Sequence, residues 1–303
     1  MKDFKHWGIK IRNYPEFNYK AVWFNLKTIR LGSGEVKQLP PDKSEFYDVS
    51  LGTTCNLECK FCYAGAKKSG RNFSNVCEKA KMFFGSMDEN SRATQIAIGS
   101  GGEGTIHPEF IEFLKTIYDL NIVPNYTTNG ITIAEDNEYS KKLLEATEKY
   151  CGGVAVSANS FNEYIDKIWR KAVDKLSKID VHINLHIIIS DNASVDRFYD
   201  IYKEYEEVIH TFVLLPIMPE GRSNQSCSKE TFEYFVSRWS EITDKSKVAF
   251  GANFYPYLKE QDDIKCYLYE PESFSKNLIL DDEIIITTSS FNTKEILWRK
   301  KYQ

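Results

Sequence analysis

Short runs of alternating or continuous apolar residues recur along this chain, separated by longer stretches with apolar residues three and four positions apart. The short runs predict strands at FYDVSL (46–51), TQIAIG (94–99), NIVPNYT (121–127), GVAVSA (153–158), HINLHIII (182–189) and TFVLLPI (211–217). The longer stretches predict amphipathic helices, clearest in PEFIEFLKTIYDL, SKKLLEATEKY, NEYIDKIWRKAVDKLSKI, VDRFYDIYKEYEEVI and KETFEYFVSRWSEIT. Such strand–helix alternation with short connections implies an α/β fold, a parallel sheet covered by helices. Six units are too few for a closed eight-unit barrel. A partial (β/α)6 TIM barrel is the expected architecture, and an open doubly wound sheet is the alternative.

The ends break this rhythm. Residues 19–38 read as a hairpin, YKAVWFNLKTIRL and EVKQL joined at Gly32-Ser33-Gly34. After Lys247 the helical pattern fades, and LILDDEIIITTSSF reads as a second hairpin turning at Asp281-Asp282. The expected division is an N-terminal hairpin extension (1–45), the barrel (46–245) and a C-terminal β-rich extension covering the substrate (246–303).

Composition narrows the function classes. Hydrophobic residues make up 42% and charged residues 27%, an ordinary globular balance. A formal charge of −4 gives no reason to expect polymeric nucleic acid or an anionic membrane as a partner. No apolar run has the length of a membrane span, and the N-terminus lacks a signal-peptide core, so a cytoplasmic location is expected. Three of the seven cysteines fall together and the rest are scattered, which points to a metal site rather than a disulfide framework.

Cys55, Cys59 and Cys62 form a C-x3-C-x2-C run directly after the first barrel strand. Three thiolates at that spacing can reach three irons of one cubane and leave the fourth iron open to an exogenous ligand. A structural zinc site would want four closed ligands, and no second pair follows. Further on, Gly99-Ser100-Gly101-Gly102-Glu103-Gly104 matches a dinucleotide-binding turn. That reading needs an acid roughly 20 positions later, where this chain has Asn125-Tyr126-Thr127-Thr128-Asn129-Gly130. It fails its own context.

CNLECKFCY, with Phe61 before the third cysteine, followed by Gly101-Gly102-Glu103, resembles the radical S-adenosylmethionine (SAM) superfamily. The likeness spans roughly residues 46–220. It is nearest the branch of the molybdenum-cofactor cyclase and peptide-modifying enzymes, as in GGEGTIHPEF followed by TTNG. The resemblance implies a [4Fe–4S] cluster on Cys55, Cys59 and Cys62, with SAM on the open iron. It implies that Gly101 and Gly102 admit SAM and that Glu103 receives its amino group. Thr128, Ser157 and Asn159 would meet the ribose and the methionyl carboxylate, Asn159 standing where the family pattern has Asp. Ile217 and Met218 would flank the adenine, and Tyr63 would offer it backbone contacts. An electron donor such as flavodoxin or ferredoxin is implied as well.

That branch often carries auxiliary clusters in a cysteine-rich C-terminal extension, whereas here the region holds only Cys227 and Cys266. These two, with Cys77 and Cys151, read as structural thiols. Asp48, Tyr126, Asn184, His186, Asn253 and Tyr255 are polar or aromatic residues in strand-like surroundings and are the candidate substrate contacts. His107 reads as a helix-start residue, and Glu45 as a solvated one. The expected activity is hydrogen abstraction from a small molecule followed by cleavage or rearrangement, with a lyase the leading class. The expected substrate is a modified 7-deazaguanine nucleobase, as in queuine lyase. Peptide modification and a non-catalytic iron–sulfur protein are the alternatives.

Overall fold

The computed structural model describes residues 8–24, 27–32, 39–159, 163–259, 261, 264 and 275–302. Strands Ile9–Tyr14 (β1), Tyr19–Phe24 (β2) and Lys27–Gly32 (β3) form a separate antiparallel sheet. Phe24 pairs with Lys27, so the chain reverses inside the run read as one strand, not at Gly32-Ser33-Gly34. Asn25 alone is a weak turn signal beside two glycines, which is why the pattern misled. Residues 33–38, most of the expected second arm, lie outside the described residues.

This small sheet is inside-out. Lys10, Arg12, Tyr14, Tyr19 and Trp23 are buried, while Ile9, Ile11, Phe24, Ile29 and Leu31 face solvent. The buried charges find partners: Lys10 Nζ donates to the Asn121 carbonyl at 2.8 Å, and Arg12 Nε donates to the Arg92 carbonyl at 2.6 Å. Glu45, expected in solvent, is 1% exposed. It accepts the Tyr19 hydroxyl and two guanidinium N–H groups of Arg30, the latter at 2.7 and 3.1 Å. Glu45, Arg92 and Asn121 all precede barrel strands, so the sheet caps the N-terminal end of the barrel.

The barrel strands are Phe46–Ser50 (β4), Gln95–Ile98 (β5), Val123–Thr128 (β6), Gly153–Ser157 (β7), His182–Ile189 (β8), Thr211–Pro216 (β9) and Val248–Phe250 (β10). Ser275–Leu280 (β11), Glu283–Thr287 (β12) and Ile296–Lys301 (β13) complete one sheet, ordered β10-β9-β8-β7-β6-β5-β4-β11-β12-β13. Every pairing from β10 to β11 is parallel. From β4 to β10 the order never reverses, so there is no switch point and the doubly wound alternative fails. Among the described residues β10 and β13 do not pair, which leaves the barrel open. β10, β13 and the parallel seating of β11 against β4 were not legible in the sequence. The turn at Asp281-Asp282 is as expected.

The helices are Val76–Gly85 (α1), Phe110–Asp119 (α2), Ile131–Ala134 (α3), Glu138–Tyr150 (α4), Glu163–Leu176 (α5), Asn192–Tyr205 (α6), Lys229–Ser237 (α7) and Tyr255–Leu258 (α8). Helices α1, α3 and α8 are additions to the expected set. Strand β8 shows how the layers divide: Ile183, Leu185, Ile187 and Ile189 are buried on the helix side, while His182, Asn184, His186 and Ile188 line the concave side. Trp169, Phe110, Phe198 and Phe212 fill the helix layer. Burying such side chains contributes roughly 1.5–3 kcal/mol each. The fold therefore rests on the outer layer and leaves the concave face free for polar residues. No described helix is long and apolar enough to cross a membrane.

Removing the Glu45 carboxylate takes a buried acceptor from Arg30 and Tyr19 at the base of the barrel. Glu45→Ala should weaken docking of β1–β3 by about 2–4 kcal/mol. Hydrogen exchange should then quicken in β2 and β3 while β7 and β8 stay protected. Equal acceleration everywhere would show that Glu45 supports the barrel instead.

Candidate functional site

The site is assembled at the C-terminal ends of the barrel strands. After β4 the chain leaves as a loop whose base is pinned by backbone bonds. Thr53 N–H donates to Arg71 O at 2.8 Å, Cys55 N–H to Lys67 O at 3.1 Å, and Phe73 N–H to Leu51 O at 2.9 Å. Within it, Cys62 N–H donates to Cys59 O at 3.1 Å and Gly65 N–H to Cys62 O at 3.2 Å, turns that bring the three half-buried cysteines to one wall of a cavity. That cavity has a volume of about 330 Å³.

The Gly101-Gly102-Glu103 segment lies against the base of this loop. Gly102 N–H donates to Gly52 O at 2.8 Å, and Glu103 N–H to Thr54 O at 2.9 Å. A Cβ on Gly101 would sit 2.2 Å from Ser50 Oγ, and one on Gly102 would sit 2.0 Å from Thr54 O. The glycines thus admit the protein's own backbone, a reason for them that the sequence reading did not anticipate.

Glu103 is 7% exposed. Its Oε1 accepts the hydroxyls of Thr105 at 2.6 Å and Thr128 at 2.8 Å, and its Oε2 accepts Asn129 N–H at 2.8 Å. Burial raises its pKa, and these hydrogen bonds act against that rise. The Asn129 amide donates to Asn56 Oδ1 at 2.7 Å and lies 4.0 Å from Cys55 Sγ, joining Glu103 to the cysteine loop. Thr128, expected at the ribose, spends its hydroxyl on Glu103 and on Gly130 N–H at 3.0 Å.

Phe61, Ser157, Asn159, Ile217 and Met218 line the same cavity. Asn159 Oδ1 accepts Ile188 N–H at 3.3 Å, so this carboxamide also fastens two strand ends. The Tyr63 side chain turns inward. Its ring centroid is 4.4 Å from that of Phe291 and its hydroxyl bonds Ser290. A second cavity of about 600 Å³ adjoins across Phe61, Asn159, Ile188 and Ile217, and Lys60, Arg197 and Arg222 line it.

The donor set fits a polynuclear cluster. Among the described residues no three Cys, His, Asp or Glu side chains converge on one metal ion. Three cysteines that line one cavity without converging on a single ion suit irons that each take a separate thiolate. Burial pushes the Cys59 thiol up to about 11 and raises Cys55, so binding must displace protons. Ser100, which lines the same cavity, has its Oγ buried without a partner among the described residues. A hydroxyl in that condition is available to a ligand.

Asp48 and His186 face the cavity from the concave sides of β4 and β8. Burial pushes Asp48 up to about 6 and His186 down to about 4, leaving the imidazole neutral at pH 7. The other candidate substrate contacts are not brought here. Tyr126 has the opposite strand parity, so its hydroxyl meets Thr147 at 2.8 Å beneath the helices. Asn184 lies two residues deeper than His186, while Asn253 and Tyr255 follow β10, all outside the cavity lining. His107 is structural, with Nε2 2.9 Å from Phe73 O. The sequence reading missed Asn129, Arg222, Ser290 and Phe291. Of these only Asn129, inside TTNG, and Ser290, in a polar run, carried any signal.

The Radical SAM superfamily model matches residues 49–221, more than half of the chain. A 7,8-dihydro-6-hydroxymethylpterin dimethyltransferase of Methanocaldococcus jannaschii is 31% identical over 100 residues, 33% of this chain and 20% of that protein. A probable GTP 3′,8-cyclase of Pyrococcus horikoshii is 21% identical over 193 residues, 61% of this chain and 60% of that one. The chain thus spans less than two thirds of either relative. Among solved structures, Streptococcus suis SuiB bound to its precursor peptide SuiA superposes with a TM-score of 0.63 at 13% identity, over 83% of this chain and 60% of that one. At that identity the likeness is one of fold.

Two outcomes follow from the geometry. Gly102→Ala should push the cysteine loop outward, costing about 1–3 kcal/mol as an overpacked substitution and lowering the iron taken up per chain on anaerobic reconstitution. Full iron uptake would show that the loop tolerates displacement. For Asp48, the folded pKa of about 6 exceeds the ordinary 3.8, so the folded state keeps a proton that the unfolded state loses. Stability of the cofactor-free protein should fall as pH rises from about 4 to about 6. Asp48→Asn should flatten that slope and raise stability at pH 7 by about 2 kcal/mol in urea titrations.

Proposed function

We propose that this chain, which belongs to the radical SAM superfamily, abstracts hydrogen from a small polar substrate held on Asp48 and His186, leading to bond cleavage or rearrangement. The family uses a [4Fe–4S] cluster and SAM. One observation carries the reading: three thiols, the Gly-Gly-Glu turn and the Asp48–His186 pair border one cavity. Bound together, cluster and SAM supply a 5′-deoxyadenosyl radical through one-electron cleavage of the sulfonium.

The protein's part is to bind, orient and exclude water. Cys55, Cys59 and Cys62 would hold the cluster. Glu103, kept in place by Thr105, Thr128 and Asn129, would accept the SAM amino group at its remaining lone pairs. Ser157 and Asn159 would meet the ribose and carboxylate, and Phe61, Ile217 and Met218 supply apolar surface for the adenine. A flavodoxin or ferredoxin is the proposed electron donor.

The substrate class follows from the remaining wall. Asp48 can accept two N–H bonds from an amidine-like edge, and Tyr63 with Phe291 offers an aromatic surface for a flat heterocycle. A modified 7-deazaguanine meets both demands, and lyase chemistry of the queuine-releasing type is the finer proposal. Neutral His186 can accept or donate one further bond.

The test is anaerobic reconstitution, then dithionite and SAM, with 5′-deoxyadenosine read by mass spectrometry. The native protein should form it, and the Cys55→Ala, Cys59→Ala, Cys62→Ala variant should not. Deazaguanines should stimulate turnover, and Asp48→Asn should reduce that stimulation by about 10- to 100-fold, as loss of a charged hydrogen bond does. Stimulation by peptides instead would point to peptide modification. A cluster-loaded protein that fails to bind SAM would point to a non-catalytic iron–sulfur role.

A further inference from the structure

The loop between β9 and α7 reaches back over the cysteine loop and grips it. Arg222 N–H donates to Cys62 O at 3.0 Å, its Nε to Cys59 O at 2.9 Å and its Nη1 to Ala66 O at 2.8 Å. One exposed residue thereby binds three carbonyls of the segment that carries the thiols. The preceding turn is built for contact. Gly221 has φ +63°, and a Cβ there would lie 2.2 Å from Tyr63 O and 2.3 Å from Cys62 O. No side chain fits between the two loops, and a left-handed φ disfavours one in any case.

We propose that Arg222 is a positioning residue for the cluster, closing the cysteine loop ahead of assembly and holding a positive charge at the carbonyl of one ligand residue, Cys59. The inference rests on the cluster reading above. Two physical consequences follow. Carbonyls already tied to a planar fork need no further ordering when the irons arrive, so less binding free energy goes into closing the loop. A fixed cation next to the cluster favours the form that carries one more electron. Lysine keeps the charge but cannot present the fork to two carbonyls at once, so it separates the two effects.

The experiment uses the full chain, reconstituted anaerobically, as native protein, Arg222→Ala, Arg222→Lys and Lys68→Ala. Lys68, exposed near the same loop, controls for surface charge. The readouts are iron per chain, survival of the cluster absorbance in air, and the midpoint potential by spectroelectrochemistry, with circular dichroism of the iron-free forms as the folding control. Arg222→Ala should shorten cluster survival about tenfold and lower the reduction equilibrium constant about tenfold, a negative shift of about 59 mV for one electron. Arg222→Lys should restore the potential and not the survival, and Lys68→Ala should match the native protein. If Arg222→Ala does not fold, Arg222→Gln, which keeps a neutral side-chain N–H donor but neither the fork nor the charge, serves in its place. Native survival and potential in a folded Arg222 variant would overturn the inference alone. A native protein that takes up no iron would overturn the functional reading and this one with it.

Discussion

Everything at the mouth of the barrel depends on the pairing of two loops that leave adjacent strands. The base of the cysteine loop and the Gly-Gly-Glu turn are joined by Gly102 N–H to Gly52 O and Glu103 N–H to Thr54 O, with no room for a Cβ on either glycine. This contact fixes where the thiols begin and where the Glu103 carboxylate ends. From Glu103 the order spreads through Thr128 and Asn129 to the next strand, and through the Asn129 amide back to Asn56. The site is therefore a closed circuit of hydrogen bonds, largely built before any cofactor enters.

The barrel makes this circuit possible by dividing its labour between two faces. Apolar positions of β8 and β9 pack outward against the helices, where burial supplies most of the stability. The concave positions are released from that duty and can carry Asp48, Ser157 and His186. Burial still acts on them, raising one carboxyl and lowering one imidazole. Charged forms in that space are costly unless a partner is offered to them.

At the other end the same logic runs in reverse. The β1–β3 sheet turns its polar face inward because strand starts and loop ends present unpaired carbonyls and a carboxylate there. Lys10, Arg12 and Arg30 meet those groups beside the buried Tyr14, Tyr19, Ala21 and Trp23, and Ile9, Ile11, Phe24, Ile29 and Leu31 are left outside. Alternation marks two faces and says nothing about which is buried, so the inversion was not readable from the pattern.

By itself the sequence determined the six-unit α/β pattern, the cysteine spacing and the small residues beside them, because these depend on local periodicity and short-range spacing. It placed Asp48 and His186 among the candidates since both interrupt apolar strands. It could not separate them from Tyr126, Asn253 and Tyr255, which differ only in strand parity or in where a later segment packs. Only the tertiary structure decided that β10 and β11 flank the expected strands, that Glu45 is an anchor, and that Phe291 and Arg222 come to the cysteine loop from far along the chain. The reason is physical. Long-range neighbours are chosen by the packing of whole elements, and no local pattern records that choice.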